Sequence, residues 1–257
     1  MLTCYNGVCI DYCNYFDFTF LFSGKPSLIY YSFDVGSVSG STLMNLGPEG
    51  DAYNGELLGT PAISTNDYVV GSGAMHLSSQ SIKIPAFKTG STGLSIAFWF
   101  KGQGGDIFDF GNGCPSNDIV FGLMTSGDCY VSVANVDVLI RKDSIFGLRV
   151  NHNNYEWRHV AWTMDPNGYW LVYLNGKLRK SYGQLFYPNS VTRLFNRIGS
   201  YDGFIDEFYL FQSVLSEARV NYLYSQSKLY LVSTTMLTVL FSSCVEMYGV
   251  NRNEFQY

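Results

Sequence analysis

Apolar and polar residues alternate with a period of two in short runs along most of the chain, and Gly, Asn, Asp and Ser clusters interrupt them about every 8 to 12 residues. That rhythm predicts many short antiparallel strands. The runs are "SLIYYSFDV" (27–35), "GAMHLS" (73–78), "SIKI" (81–84), "GLSIAFWFK" (93–101), "DIFDF" (106–110), "DIVFGLM" (118–124) and "CYVSV" (129–133). They continue with "VDVLIRK" (136–142), "EWRHVAWTMD" (156–165), "YWLVYLN" (169–175), "LFNRIG" (194–199) and "FIDEFYLF" (204–211). Pro166-Asn167-Gly168 and the Asn175-Gly176 pair supply hairpin turns. In 169–175 both alternating sets are apolar, so this strand is covered on both faces or presents one face as an aromatic platform. One stretch changes period: in 216–226, Val220, Leu223 and Tyr224 recur at helical spacing behind a Ser216 N-cap.

Composition supports an all-β chain, and the length suits one large β domain or two small ones. The 257 residues are 17% aromatic and 14% charged, with 20 Tyr, 19 Phe and 26 Gly, a mix suited to pleated surfaces and tight turns. A net charge of -5 without a Lys/Arg cluster excludes nucleic acid as a partner, because phosphates require a basic footprint. Cys4, Cys9 and Cys13 crowd the N-terminus while Cys114, Cys129 and Cys244 are scattered, so no zinc spacing is present. Cys114 and Cys129 lie at opposite ends of the predicted strand 118–124, about 20 Å apart at strand rise, beyond the reach of a disulfide. The N-terminal extension, 1–26, lacks a basic start, and Asp11 and Asp17 interrupt its apolar run, unlike a signal peptide. The tail, 227–257, is uncharged from 229 to 245, which is either a short membrane span or a β-rich or poorly ordered terminus.

The order of motifs is family-like. "YYSFD", "YNGELLG", "GAMHL", "LSIAFWFK", "EWRHVAWTMD", "LVYLNGKL", "IGSYDGFIDEFYLF" and "VLSEARVNYLY" together resemble the laminin-G-like, concanavalin A-like lectin/glucanase jelly-roll family over residues 27–226. The resemblance implies a two-sheet antiparallel β-sandwich closed by one short helix. It also implies a non-catalytic module for carbohydrate or protein ligands on extracellular or surface proteins. One departure is Arg219, which stands where the family places the acid of a capping box.

Two adjacent acids, Asp206 and Glu207, stand in the last apolar strand and raise the question of catalysis. Retaining glycosidases need two carboxyl groups about 5 Å apart on one side of the substrate. Regular alternation sends Asp206 and Glu207 to opposite faces, and likewise Asp106 and Asp109, which argues against a glycoside hydrolase. His159 alternates with Trp157, Ala161 and Thr163 and is expected to be structural. Glycine-rich "KGQGGD" (101–106) lacks the ending of a phosphate loop and is expected to join two strands. In the family topology the first and last strands are close, bringing Asp34 near Asp206. The two carboxylates then either hold a structural Ca²⁺ or cap neighbouring loops. Ligand contacts are expected from Tyr155, Tyr182, Tyr187, Asn189, Tyr201 and Asp202, in predicted loops near strand ends. Aromatic faces stack on sugar rings, and Asn and Asp orient hydroxyls. The expected function is glycan or glycoprotein binding at a cell or particle surface. The alternative is a structural or adhesion protein with a protein partner, with membrane contact through 229–245.

Overall fold

The computed structural model describes residues 2–5, 8–11, 26–112, 118–124, 128–133, 136–140, 156–188 and 191–226. Two antiparallel sheets share one bent strand, Leu94–Gly111. The second half of that strand lies in the first sheet. On one side of it are Ile119–Leu123, Cys129–Val133 and Val136–Ile140; on the other are Phe195–Gly199, Ser81–Ile84, Gly55–Leu58, Thr42–Leu43 and Val38–Ser39. Its first half lies in the second sheet, between Arg158–Met164 and Tyr201–Phe211. Trp170–Leu174 and Lys177–Tyr182 extend that sheet one way; Ile29–Tyr31, Ala74–Ser78 and Ala62–Ser64 extend it the other. The predicted strands 93–101 and 106–110 are thus one element, and "KGQGGD" is its corner.

The corner depends on close backbone approach. Gly105 has φ +88°, and a Cβ there would collide with the Ser200 carbonyl oxygen. A side chain is therefore excluded on two grounds, conformation and space. Beyond the corner, the two halves of the strand face each other: Phe98 meets Phe108 edge-on at 5.8 Å and Phe121 at 5.4 Å. With Trp162, Trp170, Tyr31 and Phe208 they form a core whose aromatic pairs each contribute about 0.5–1.5 kcal/mol beyond burial. Trp170, Val172 and Leu174 face this core, while Tyr173 and Leu171 pack with the helix, so strand 169–175 is covered on both faces at that position.

The helix spans 217–226. Ser216 Oγ accepts the Arg219 amide at 3.3 Å, and the Arg219 guanidinium lies over the Tyr222 ring, 5.2 Å away. Leu215, Val220 and Leu223 seat the helix against Ala97, Ala161, Tyr173 and Phe211, on the outer side of the second sheet. No helix among the described residues is long and apolar enough to cross a membrane. The membrane segment expected at 229–245 lies outside the described residues. So do Cys114 and Cys244; Cys129 is a buried free thiol whose pKa burial pushes up to about 12.

Candidate functional site

Two β-bulges override the alternation on which the sequence analysis relied. Ala97 pairs with Tyr209 but Trp99 pairs with Asp206, so the closing strand carries one extra residue, and Glu207 adopts φ +52°. Ile205 and Phe208, three residues apart, both face the core. Asp206 and Glu207 are therefore on the same outer side, not on opposite faces. The second bulge pairs Asp106 with Gly122 and Phe108 with Phe121, burying both Ile107 and Phe108 in the core. It brings Asp106 and Asp109 onto one face as well.

These two acid pairs have different surroundings. Asp206 is 0% and Glu207 4% exposed. Asp206 Oδ2 accepts the amides of Val69 and Val70 at 2.9 and 3.1 Å, and Glu207 accepts the hydroxyls of Tyr30 and Tyr209. Asp34 Oδ1 accepts the Ser72 amide and hydroxyl, so Asp34 and Asp206 hold the same loop from opposite ends. Burial raises Asp206 to about 8 and Glu207 to about 7, and like charges nearby add to both shifts. Asp206 Oδ1 is buried without a hydrogen-bond partner. Among the described residues, no group of three or more His, Cys, Asp or Glu side chains is placed to hold a metal ion.

Asp106 and Asp109 instead lie half-buried on the outer face of the first sheet. A row that is polar but for Val120 crosses that face strand by strand: Ser132, Val120, Asp109, Arg197, Lys83, Glu56 and Thr42. Lys83 and Glu56 pair at 3.0 Å, with both side chains mostly in water, so the bridge adds little stability. In the neighbouring row Tyr130 lies across Gly122, whose missing Cβ leaves room for the ring, and its hydroxyl donates to Asp106. Burial, then Asp118 and Asp106, raise Asp109 to about 6, while Arg197 opposes the shift. Phe195 stands at the margin of this face, 61% exposed. The arrangement combines a flat aromatic ring, carboxylates and a guanidinium on the outer face of one sheet.

The residues expected to bind ligand do not converge. Tyr201 is a strand residue, 2% exposed, whose hydroxyl donates to the Phe204 carbonyl at 2.6 Å. Placing it in a loop was incorrect, because the closing strand starts at Tyr201 and the corner buries its ring. Asp202 is exposed beside it, opposite Gln103. Tyr182 and Tyr187 are half-buried against the core at the other end of the second sheet, with the Tyr187 hydroxyl donating to Gly90. Tyr155 and Asn189 lie outside the described residues. Sequence reasoning set aside Asp106 and Asp109 and did not single out Tyr130 or Arg197. The alternating polar positions of "CYVSV" and "LFNRIG" were the signal available for the last two.

A family model described as the concanavalin A-like lectin/glucanases superfamily matches residues 76–221, more than half of the 257-residue chain. The chain belongs to this superfamily. Domain 4 of AbnA, an extracellular GH43 arabinanase of Geobacillus stearothermophilus solved with arabinotriose, is similar at 22% identity and TM-score 0.58, covering 77% of this chain and 98% of that one. The ligand-binding domain of botulinum neurotoxin serotype D, in complex with N-acetylneuraminic acid, is similar at 16% identity and TM-score 0.59, covering 77% and 50%. The receptor-binding domain of the C/D mosaic serotype gives 14% identity and TM-score 0.60, covering 77% and 51%. The chain thus spans about half the length of those toxin fragments. At these identities the likeness is one of fold. Comparison with curated protein sequences finds no match.

Proposed function

We propose that this concanavalin A-like domain binds a glycan, without chemistry, on the outer face of the first sheet. The observation that carries the reading is the Tyr130 ring laid over Gly122, its hydroxyl on Asp106, with Asp109 and Arg197 paired across strands in the neighbouring row. A sugar ring stacks on the tyrosine face, while carboxylates and guanidinium take its hydroxyls. The carbohydrate complexes of AbnA domain 4 and the serotype D toxin domain support a glycan ligand, and both suit a domain that works outside the cell or on a surface.

A glycan array on the intact chain is expected to give a positive class. Tyr130→Ala is expected to weaken that binding about tenfold, the ~1.4 kcal/mol of one aromatic contact, without lowering the melting temperature by more than a few degrees. Asp109 is an acceptor for sugar hydroxyls when ionised, so affinity rises as pH increases through about 6, and Asp109→Asn flattens the profile. A uniformly negative array with an intact fold refutes the glycan reading and favours a protein partner, as in adhesion. A second reading, hydrolysis, draws on Asp106 and Asp109 sharing a face. Incubating the wild type with the array-positive glycans separates the two, since cleavage that Asp109→Asn abolishes makes the domain an enzyme.

A further inference from the structure

On the outer side of the second sheet His159, Trp99 and Asp206 form one row across three neighbouring strands. His159 is 1% exposed. Its imidazole lies against the Trp99 ring at 5.3 Å and the Tyr224 ring of the helix at 5.9 Å, and Tyr224 also stacks on Trp99 at 5.5 Å. The main chain of His159 is tied to Asn175, which donates its amide to the His159 carbonyl and accepts the His159 amide on Oδ1. On the side-chain side, His159 Nδ1 and Trp99 Nε1 are both buried without a hydrogen-bond partner. The helix therefore closes over an imidazole whose Nδ1 is left unsatisfied.

We propose that His159 is an acid-operated latch for the C-terminal helix: protonation of its imidazole undocks residues 217–226 from the second sheet while the sandwich stays folded. An imidazolium presents two N–H donors and a full charge, and burying it without a partner is costly. Among the described residues, no charged group counters this cost. Trp99 faces it from the long strand, Tyr224 from the helix and Asn175 from the hairpin turn, none of them a carboxylate. Asp206, beyond Trp99, keeps its own proton in acid because burial raises it to about 8. Arg158 precedes His159 on the opposite side of the strand, where its charge acts on Cys129. Burial alone lowers His159, from its ordinary 6.5 to about 3.

A histidine whose folded pKa is depressed leaves docking intact above its unfolded value. Docking then weakens as pH falls from 6.5 toward 3, by about tenfold per pH unit for one proton. The helix is the element that gives way because its ten residues are too few to persist alone. Its apolar seat is Leu215, Val220 and Leu223, whereas the strands are held by the sandwich core.

Hydrogen exchange of the full chain, read by mass spectrometry between pH 7 and 4 and corrected for intrinsic rates, tests the latch. Protection of 217–226 is expected to fall about tenfold per pH unit below 6.5, with 94–100 still protected. His159→Gln and His159→Phe are expected to remove that slope. A slope unchanged in His159→Gln overturns the proposal, as does simultaneous loss of protection in helix and core. Should neither variant fold, the wild type decides by NMR. The imidazole and the helix amides then titrate with one midpoint if the latch operates, and separate midpoints refute it.

Discussion

Replacing Phe108 with alanine is expected to destabilise the protein by about 3–5 kcal/mol. Phe108 is fully buried immediately after the bulge that turns Asp106 and Asp109 outward. Its ring meets Phe110 and Phe121 of the first sheet at 4.7 and 6.1 Å, and Phe98, Phe208 and Trp162 of the second at 5.8, 6.1 and 6.5 Å. Truncation leaves a cavity that neither sheet can collapse into, because the shared strand fixes both to one backbone. Urea unfolding with Phe195→Ala as the control checks it. That exposed ring is expected to change stability by about 0.5 kcal/mol or less. Equal effects of the two substitutions rule out a core centred on Phe108.

The second large effect is expected at Asp206. Asp206→Ala strands the Val69 and Val70 amides beneath the loop they close and is expected to cost about 2–4 kcal/mol, the penalty of partly buried donors left unmade. Asp206→Asn keeps an oxygen for those amides and removes the ionisable group. Its folded pKa, about 8, is above the ordinary carboxylate value, so its contribution is complete below the unfolded value and is lost as pH rises through about 8. Wild-type stability therefore falls between about pH 4 and 8, and Asp206→Asn is expected to fall less. Glu207, raised to about 7, retains part of the slope. Identical pH profiles of wild type and Asp206→Asn rule out this role.

The calcium role of Asp34 and Asp206 is a proposal tested with the same variants. Asp206 Oδ1, buried and unpartnered, is the oxygen available to an ion, which completes its usual six to eight ligands from carbonyls and water. Added Ca²⁺ then raises the melting temperature of the wild type and not that of Asp206→Asn. An unchanged wild-type value leaves both residues as caps of one loop.

The strands legible in the sequence were those with a full period-two run, such as Arg158–Met164 and Cys129–Val133, whose inward residues are buried one after another. Others were not legible. Val38–Ser39, Thr42–Leu43 and Phe87–Lys88 hold two residues each, too short for a period. Lys177–Tyr182 is a polar edge strand whose charged side chains discourage pairing with other chains and conceal any alternation. Tyr201 misled because a Gly-Ser-Tyr-Asp-Gly stretch has turn composition, although here the turn lies one residue earlier and the tyrosine enters the strand.

The sequence by itself determined an all-β sandwich with one capped helix, because burial periodicity, turn chemistry and the Ser216 cap act over a few neighbouring residues. It also placed Asp34 and Asp206 together, through the order of family motifs. Tertiary structure alone decided which way the acids point. A bulge is fixed by the register of partner strands, and one extra residue at Glu207 or Ile107 reverses the phase of everything beyond it. That reversal buried Asp206 and Glu207 together under hydrogen bonds, and it brought Asp106 and Asp109 onto one outer face beside Tyr130.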